Sequence, residues 1–454
     1  MKQFLIGLTR KLLRQDLQIP YLSLPAYEDP ITIPYIELSP AGAISRRETI
    51  TYDPAETGII DRLYTLYDEV IYLLTQAQSR LFFAGTLSLI SIYYSFQKNI
   101  IVAYGDAESH LNIAKRVISS ITPGFSQLGG IWLPLPHLMM LPFVYFDFLW
   151  RTGLAGAIVS GISFIITSFF LYKLAFLMTK NRLASFVGFL VFALNPNILY
   201  LQSTPMTELP LLMFFVLSMY YFIRFLKYDR EIMSLIGAAV FGLAASLSRY
   251  DGWFLILTEA FVLFLFYVNQ RIPLKKLIGK MMLYATPAFV GILIWVIWGY
   301  LILGDPFYFT TSEFSAKSQQ ETWLARGELP SYHNILSSLL YYSYTSLITI
   351  GAVSSAIAGV GFVYFLLKRS ESKRLLIAFI ALCPFVFNVL TLYLGQSVIF
   401  IPGLTPESYQ WTLFNVRYGV MMIPIAALLF SYLFAASRPG LKVTLLAMLA
   451  LQTV

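Results

Sequence analysis

The chain has 454 residues, of which 57% are hydrophobic and 12% charged, with a formal net charge of +8. Soluble globular domains carry about 25% charged residues, so this composition excludes a soluble enzyme, a disordered chain and a fibrous protein. It leaves an integral membrane protein with many spans, in line with a mean hydropathy of +0.69. The apolar runs are continuous, not alternating, which predicts an all-α multi-span bundle instead of a β-barrel. The positive charge suits basic loops held against anionic membrane lipid, and no nucleic-acid partner is expected. The single cysteine, Cys383, can form no intrachain disulfide.

The first 80 residues hold 10 of the 24 acidic residues and 8 of the 32 basic ones. They read as a cytoplasmic or interfacial segment ahead of a transmembrane domain over 81–454. Residues 1–14 predict a short amphipathic helix with a basic face, without the long apolar core and small-residue cleavage site of a signal peptide. Residues 15–55 carry Pro20, Pro25, Pro30, Pro34, Pro40 and Pro54 and are expected to wander. The periodicity of 56–80 predicts a helix lying on the membrane or running into the first span.

Spans are predicted near 81–97, 152–172, 183–201, 209–226, 232–247, 252–269, 281–303, 338–367, 374–396 and 417–436. Most approach the roughly 20 residues a bilayer requires. An eleventh apolar run starts at Leu441, and Val454 comes too soon for it to cross, so about 10–12 spans and a chain continuing past Val454 are expected. Residues 107–150 are only intermittently apolar and contain Pro123, Pro134, Pro136 and Pro142. They read as a long loop of short helices on the membrane.

With the N-terminus inside, 24 basic residues fall on the inner side and 8 on the outer; without the N-terminal segment the ratio is 16 to 8. The positive-inside rule therefore places a multi-pass protein in the cell membrane with a cytoplasmic N-terminus. All seven Trp and all three His residues then lie on or near the outer face. Either the longer outer loops simply collect such residues, or the outer face binds sugars through ring stacking and hydrogen bonds.

Several outer segments could carry chemistry. Tyr104-Gly105-Asp106-Ala107-Glu108-Ser109-His110 follows the first span. Its acids would converge if Asp106 were the N-cap of a following helix, and His110 would then neighbour Asp106. Such a carboxylate could be a general base, or Asp106 and Glu108 could hold a divalent ion; the plain alternative is a cap and a solvated acid. Glu208 must sit at a membrane boundary, where it is either used, paired or favoured by the helix dipole. In the turn Ser248-Arg249-Tyr250-Asp251, Arg249 and Asp251 could pair with each other. Arg417, beside Tyr418, is the only basic residue between Arg374 and Arg438 and is built to grip a phosphate or to snorkel. Glu259 lies about two turns into a span. The polar outer loop 304–337 is a candidate lid or acceptor-binding segment, or an ordinary solvated loop.

These segments together resemble the GT-C superfamily of membrane glycosyltransferases. A first outer loop opens with an acidic pair (Asp106, Glu108) and runs to Trp132-Leu133-Pro134-Leu135-Pro136-His137; a second, short outer loop carries Glu208. Within the superfamily the pattern is similar to the protein O-mannosyltransferase and aminoarabinose transferase branch. It is clearest over 81–260, with a weaker echo at Asn415–Gly419. The resemblance implies sugar transfer from a polyprenyl-phosphate donor on the outer face, to a protein, lipid or glycan acceptor, with inversion in a single displacement. It implies Asp106 as catalytic base, with Glu108 and Glu208 as the accompanying acids. Phosphate and donor contacts would come from Arg417, Arg249, Asp251, His137, His110 and Tyr418, with or without a divalent ion. His137 follows the prolines where the family has its basic residue before them, and Ala107 separates acids that the family often keeps adjacent.

The alternative class is a secondary transporter or lipid flippase. Transporters place ionisable groups near the midplane, on broken helices in paired repeats. Here the acids gather on one side, no repeat is visible, and Glu259 is the residue that fits a transporter.

Overall fold

The computed structural model describes residues 31–38, 44–52, 66, 69–228, 231–368, 373–397, 399–401, 403–405 and 415–453. The chain divides into two units, Met1–Ser79 and Arg80–Val454. In the first, strands β1 (Ile31–Leu38) and β2 (Ile44–Tyr52) pair antiparallel, with Ile33 opposite Ile50 and Tyr35 opposite Glu48. This corrects the expectation that 15–55 wanders. The prolines masked runs rich in Ile, Thr and Tyr, residue types that favour a strand. Pro34 is tolerated because both strands of a two-stranded ladder are edges. The predicted helix over 1–14 lies outside the described residues, as does most of 56–68.

The second unit is helical. Its first helix, α1, is Ala77–Gln97. The segment expected to be a loop of short helices contains α2 (Gly105–Ser119), a 3-10 turn at Phe125–Leu128, α3 (Leu135–Val144) and α4 (Asp147–Arg151). There follow α5 (Leu154–Thr179), α6 (Arg182–Ala193), α7 (Pro196–Leu201), α8 (Glu208–Lys227), α9 (Ile232–Ser246), α10 (Asp251–Asn269) and α11 (Leu274–Leu303). The outer loop carries α12 (Tyr308–Thr311) and α13 (Ala316–Ala325). Then come α14 (Ile335–Ile350), α15 (Ala352–Leu367), α16 (Arg374–Ala381) and α17 (Cys383–Tyr393). A 3-10 turn, Val416–Met422, leads into α18 (Ile423–Ala436), and α19 is Pro439–Thr453.

Five of the described helices are long and apolar enough to cross a membrane, and two bent pairs raise the number to seven. The other expected spans are shorter or interrupted. The span expected at 183–201 stops at Ala193, because Pro196 cannot extend a helix. Asn195 then caps α7 by accepting from the backbone N–H groups of Asn197 and Ile198. The span expected at 338–367 breaks at Gly351, whose φ of +92° only glycine adopts freely, and α14 and α15 meet at 114°. Gln452 of α19 satisfies the break. Its Nε2 donates to the Ile350 carbonyl at 3.1 Å, and its Oε1 accepts from the Ser354 N–H at 2.6 Å.

The core gathers around α8, which packs against α5 and α9. In its apolar window 83% of residues are buried, against 22% in α11, so α8 is the central span and α11 a peripheral one. Phe164, Phe189, Phe215, Phe222 and Phe430 are fully buried around it. Apolar burial cannot select one arrangement of helices in lipid; close packing and interhelical hydrogen bonds do that. The Ser160 hydroxyl, for example, donates from α5 to the Thr204 carbonyl ahead of α8 at 2.7 Å. This rigid centre carries Glu208 at its N-terminal end.

Candidate active site

Glu208 is the first residue of α8, with Pro210 in the same turn. A proline costs nothing there, because first-turn N–H groups have no helical partner. The carboxylate is 1% exposed, and burying it demands partners. It has two, both on one oxygen. Arg417 Nε and Arg249 Nη1 each donate to Glu208 Oε1 at 3.2 Å.

Arg249 sits in the tight turn between α9 and α10. Gly252 permits that turn, since a Cβ there would lie 2.6 Å from the Ser246 nitrogen. Arg249 Nη1 also donates to the Thr207 hydroxyl at 3.0 Å, and Nε lies 3.5 Å from Asp251 Oδ2. The expected pairing of Arg249 with Asp251 is therefore present, inside a larger network. Burial disfavours the Arg249 charge, but Glu208 and Asp251 outweigh this and raise its pKa.

Arg417 arrives from the far end of the chain. Asn415 adopts φ +58°, a left-handed conformation that Asn tolerates better than most residues. The 3-10 turn that follows packs closely on α14 at Gly419, where a Cβ would lie 2.6 Å from the Thr345 carbonyl oxygen. Arg417 Nη2 donates to Asp106 Oδ2. The Arg417 guanidinium also lies 4.9 Å from the Tyr104 ring centre, and the Tyr418 ring centre is 5.5 Å from both guanidinium groups. The resulting cluster alternates sign and is walled by aromatic faces.

Asp106 is not the cap of α2. The helix begins at Gly105 with Tyr104 as N-cap, and side chains two apart on a helix diverge. Glu108 is accordingly exposed and lines neither of the cavities described below. Among the described residues no group of three or more His, Cys, Asp or Glu side chains converges.

His110, four residues after Asp106, does share its face. His110 Nδ1 and His137 Nε2 lie 2.9 Å apart, and the Trp132 ring centre is 4.7 Å from that of His110. Burial lowers the pKa of both rings, to about 4 for His137; for His110 the neighbouring His137, Arg249 and Arg417 charges add to it. His137 is fully buried and lines neither cavity. The contact the structure gives His137 is with His110, which lines the smaller cavity.

Two cavities meet at Asp106. One, of about 400 Å³, is lined by Asp106, His110, Thr207, Arg249, Asp251 and Arg417, with Tyr250, Phe309 and Phe387 among its apolar walls. The other, of about 620 Å³, is lined by Asp106, Arg116, Trp132, Tyr308, Gln320 and Trp323, among others. Asp106, Ile131, Trp132, Ala316, Gln396, Ser397 and Tyr418 line both. The two are lobes of one site with Asp106 on the shared wall. The loop 304–337 contributes Phe309 and Thr310 to the smaller lobe and Tyr308, Phe314, Gln320 and Trp323 to the larger. Sequence reasoning missed Thr207, Gln320, Gln396 and Ser397. Thr207 was signalled by its place beside Glu208, whereas the other three are polar residues in outer segments with no distinguishing pattern.

Glu259 lies elsewhere. It accepts from Ser218 at 2.9 Å and from Tyr284 at 2.6 Å inside the bundle, and it lines neither lobe. Glu407 and Trp411 lie outside the described residues.

Residues 148–298 match the sequence model of the dolichyl-phosphate-mannose-protein mannosyltransferase family. That stretch holds Glu208, Arg249 and Asp251. Among solved structures the chain is similar to ArnT from Cupriavidus metallidurans bound to undecaprenyl phosphate, with 15% identity and a TM-score of 0.57. The match covers 81% of this chain and 62% of that one, so the chain spans less than two thirds of that protein's length. No curated relative matches the chain. It is a multi-pass membrane protein with the GT-C fold, and it resembles the mannosyltransferase and aminoarabinose transferase branch of that superfamily.

Proposed function

We propose that the chain transfers a sugar from a polyprenyl-phosphate donor to an acceptor hydroxyl on the outer face of the cell membrane, with inversion. The observation that carries this reading is the junction of two lobes at Asp106, with two guanidinium groups in the smaller lobe and an aromatic wall in the larger.

The donor phosphate suits the smaller lobe. A guanidinium has five N–H donors. The bonds to Asp106, Glu208, Asp251 and Thr207 engage Nε and one terminal nitrogen of each guanidinium, so Arg249 Nη2 and Arg417 Nη1 keep donors for phosphate oxygens. The acceptor suits the larger lobe. Its hydroxyl oxygen attacks the anomeric carbon, and its proton passes to Asp106. The bond from the anomeric carbon to the phosphate oxygen breaks, and its electron pair leaves with the lipid phosphate. The two guanidinium groups stabilise the charge that develops there. One displacement inverts the anomeric centre and needs no second carboxylate as nucleophile. Glu208 anchors both guanidinium groups and does not touch the reacting atoms. The excess of basic residues on the opposite side supports an outward-facing site and a cytoplasmic N-terminus.

The test is reconstitution of the full chain in vesicles with a radiolabelled polyprenyl-phosphate sugar and a membrane glycan extract as acceptor. Wild-type chain is expected to move label to the acceptor fraction, and Asp106→Asn to lose that transfer while keeping the wild-type melting temperature. Full transfer by Asp106→Asn removes Asp106 as base.

A further inference from the structure

The larger lobe contains two side chains that the transfer mechanism leaves unused. Arg116 lies on α2, exposed to the lobe, and its guanidinium forms no ion pair with any described residue. Gln320 lies on α13 and is 4% exposed, yet its Oε1 accepts no hydrogen bond among the described residues. A buried acceptor without a donor costs free energy of about 1–3 kcal/mol, which a ligand hydroxyl can recover.

The lining of the lobe holds one described acid and one described guanidinium, Asp106 and Arg116. Asp106 is the only described acid in its lining, and Arg417 already holds it. Asp305, Glu313, Glu321 and Glu328 of the covering loop do not line it. Arg116 faces this concave, partly apolar space with no direct ion-pair partner among the described residues, so its donors are open to a ligand anion. Trp132, Trp323 and Tyr308 provide flat walls of the kind that stack on a pyranose ring. The volume of about 620 Å³ suits a head group of one or two sugar residues.

We propose that the larger lobe binds an acidic sugar head group, with its anion on Arg116 and a ring hydroxyl donating to Gln320, between Trp132 and Trp323. The inference rests on the transferase reading and names the class of its acceptor: a sugar bearing a phosphate or carboxylate in addition to the hydroxyl that attacks. An acidic peptide would satisfy Arg116 but offers no ring to the aromatic walls.

The test uses full-length chain in phosphatidylcholine nanodiscs, titrated calorimetrically with glucose 6-phosphate, with glucose and with an Asp-Ser-Asp peptide. Glucose 6-phosphate is expected to bind about tenfold or more tightly than glucose, as befits one charge-assisted bidentate contact. Arg116→Gln is expected to remove that preference, and Gln320→Leu to weaken both sugars while the preference for the phosphorylated one stays. Nanodiscs containing phosphatidylinositol distinguish the two sources of the head group. Competition with glucose 6-phosphate assigns a lipid-borne acceptor; unchanged affinity assigns a free one. Equal binding of glucose and glucose 6-phosphate, wild-type affinity in Arg116→Gln, or tighter binding of the peptide overturns the proposal. Undecaprenyl phosphate is titrated into the same samples. If it binds and glucose 6-phosphate does not, the acceptor class falls and the transferase reading stands; if neither binds, both fall.

Discussion

Asp106 and Arg417 are 311 residues apart in sequence and are joined by a hydrogen bond from Nη2 to Oδ2. The same guanidinium reaches Glu208 through Nε. One planar group thus fixes the position of the candidate base against the central span. The fork geometry is specific to Arg, because a Lys ammonium is a point charge that cannot hold two divergent partners in one plane. Arg417→Lys is expected to lower kcat of sugar transfer about 10²-fold, the scale of losing one preorganised donor. Single-turnover transfer from a labelled polyprenyl-phosphate sugar measures it, and a rate within threefold of wild type contradicts the assignment.

Glu208 carries a different weight. It is the buried anion between the buried Arg417 and the half-buried Arg249, and removing one partner of such a cluster strands the others. Glu208→Ala is expected to destabilise the folded chain by about 3–5 kcal/mol. Glu208→Gln is expected to cost less, because the amide oxygen still accepts from Arg249 and Arg417. Thermal unfolding in detergent, followed by helical circular dichroism, ranks the two variants. Equal melting temperatures for wild type and Glu208→Ala would show that the cluster does not hold the bundle together.

Much of this was visible in the sequence, for an identifiable reason. Charge is scarce in this chain, so each outer acid or Arg stands out, and Asp106, Glu208, Arg249 and Arg417 could be named from position alone. Their convergence could not be named, because it depends on how α2, α8 and the 3-10 turn before α18 pack. Hydropathy reports that a segment is apolar and is silent on its neighbours. The same blindness hid the break at Gly351, where an uninterrupted apolar run conceals a 114° corner held by Gln452. Glu108 is placed apart from both lobes. It stood beside Asp106 in the motif, and the helix starts two residues earlier than expected, at Gly105, which leaves Glu108 exposed.

Gly419 positions Arg417 through what it lacks. A Cβ at this site would lie 2.6 Å from the Thr345 carbonyl and press on the Thr349 hydroxyl. Backbone cannot yield as a flexible side chain can, so Gly419→Ala is expected to push the 3-10 turn off α14 at a cost of about 1–3 kcal/mol. Transfer activity is expected to fall with it, since Arg417 is two residues away. Gly359→Ala is the matched control: that glycine lies in α15 with nothing within 4 Å of its would-be Cβ. Alanine there is expected to stabilise the helix by up to about 1 kcal/mol. Parallel melting curves for the two variants, shifted in opposite directions, are the predicted result.

The buried pair His110 and His137 sets an acid limit on stability. Both rings are held neutral in the folded chain by burial, His137 with a pKa of about 4 against an ordinary value of 6.5. As pH falls below 6.5 the unfolded chain binds protons that the folded chain refuses, so folding free energy is lost with each step down. The loss through His137 is fully developed near pH 4 and amounts to about 3 kcal/mol there. Above pH 7 neither ring contributes any slope. His137→Leu removes one of the two groups and also leaves His110 Nδ1 without its partner, so it is expected to lower stability at neutral pH and to flatten the decline between pH 6.5 and 4. Melting temperatures measured across that interval for wild type and His137→Leu give the two slopes. Identical slopes would mean that His137 is already protonated in the folded chain and that the charge, not the neutral ring, stands behind His110.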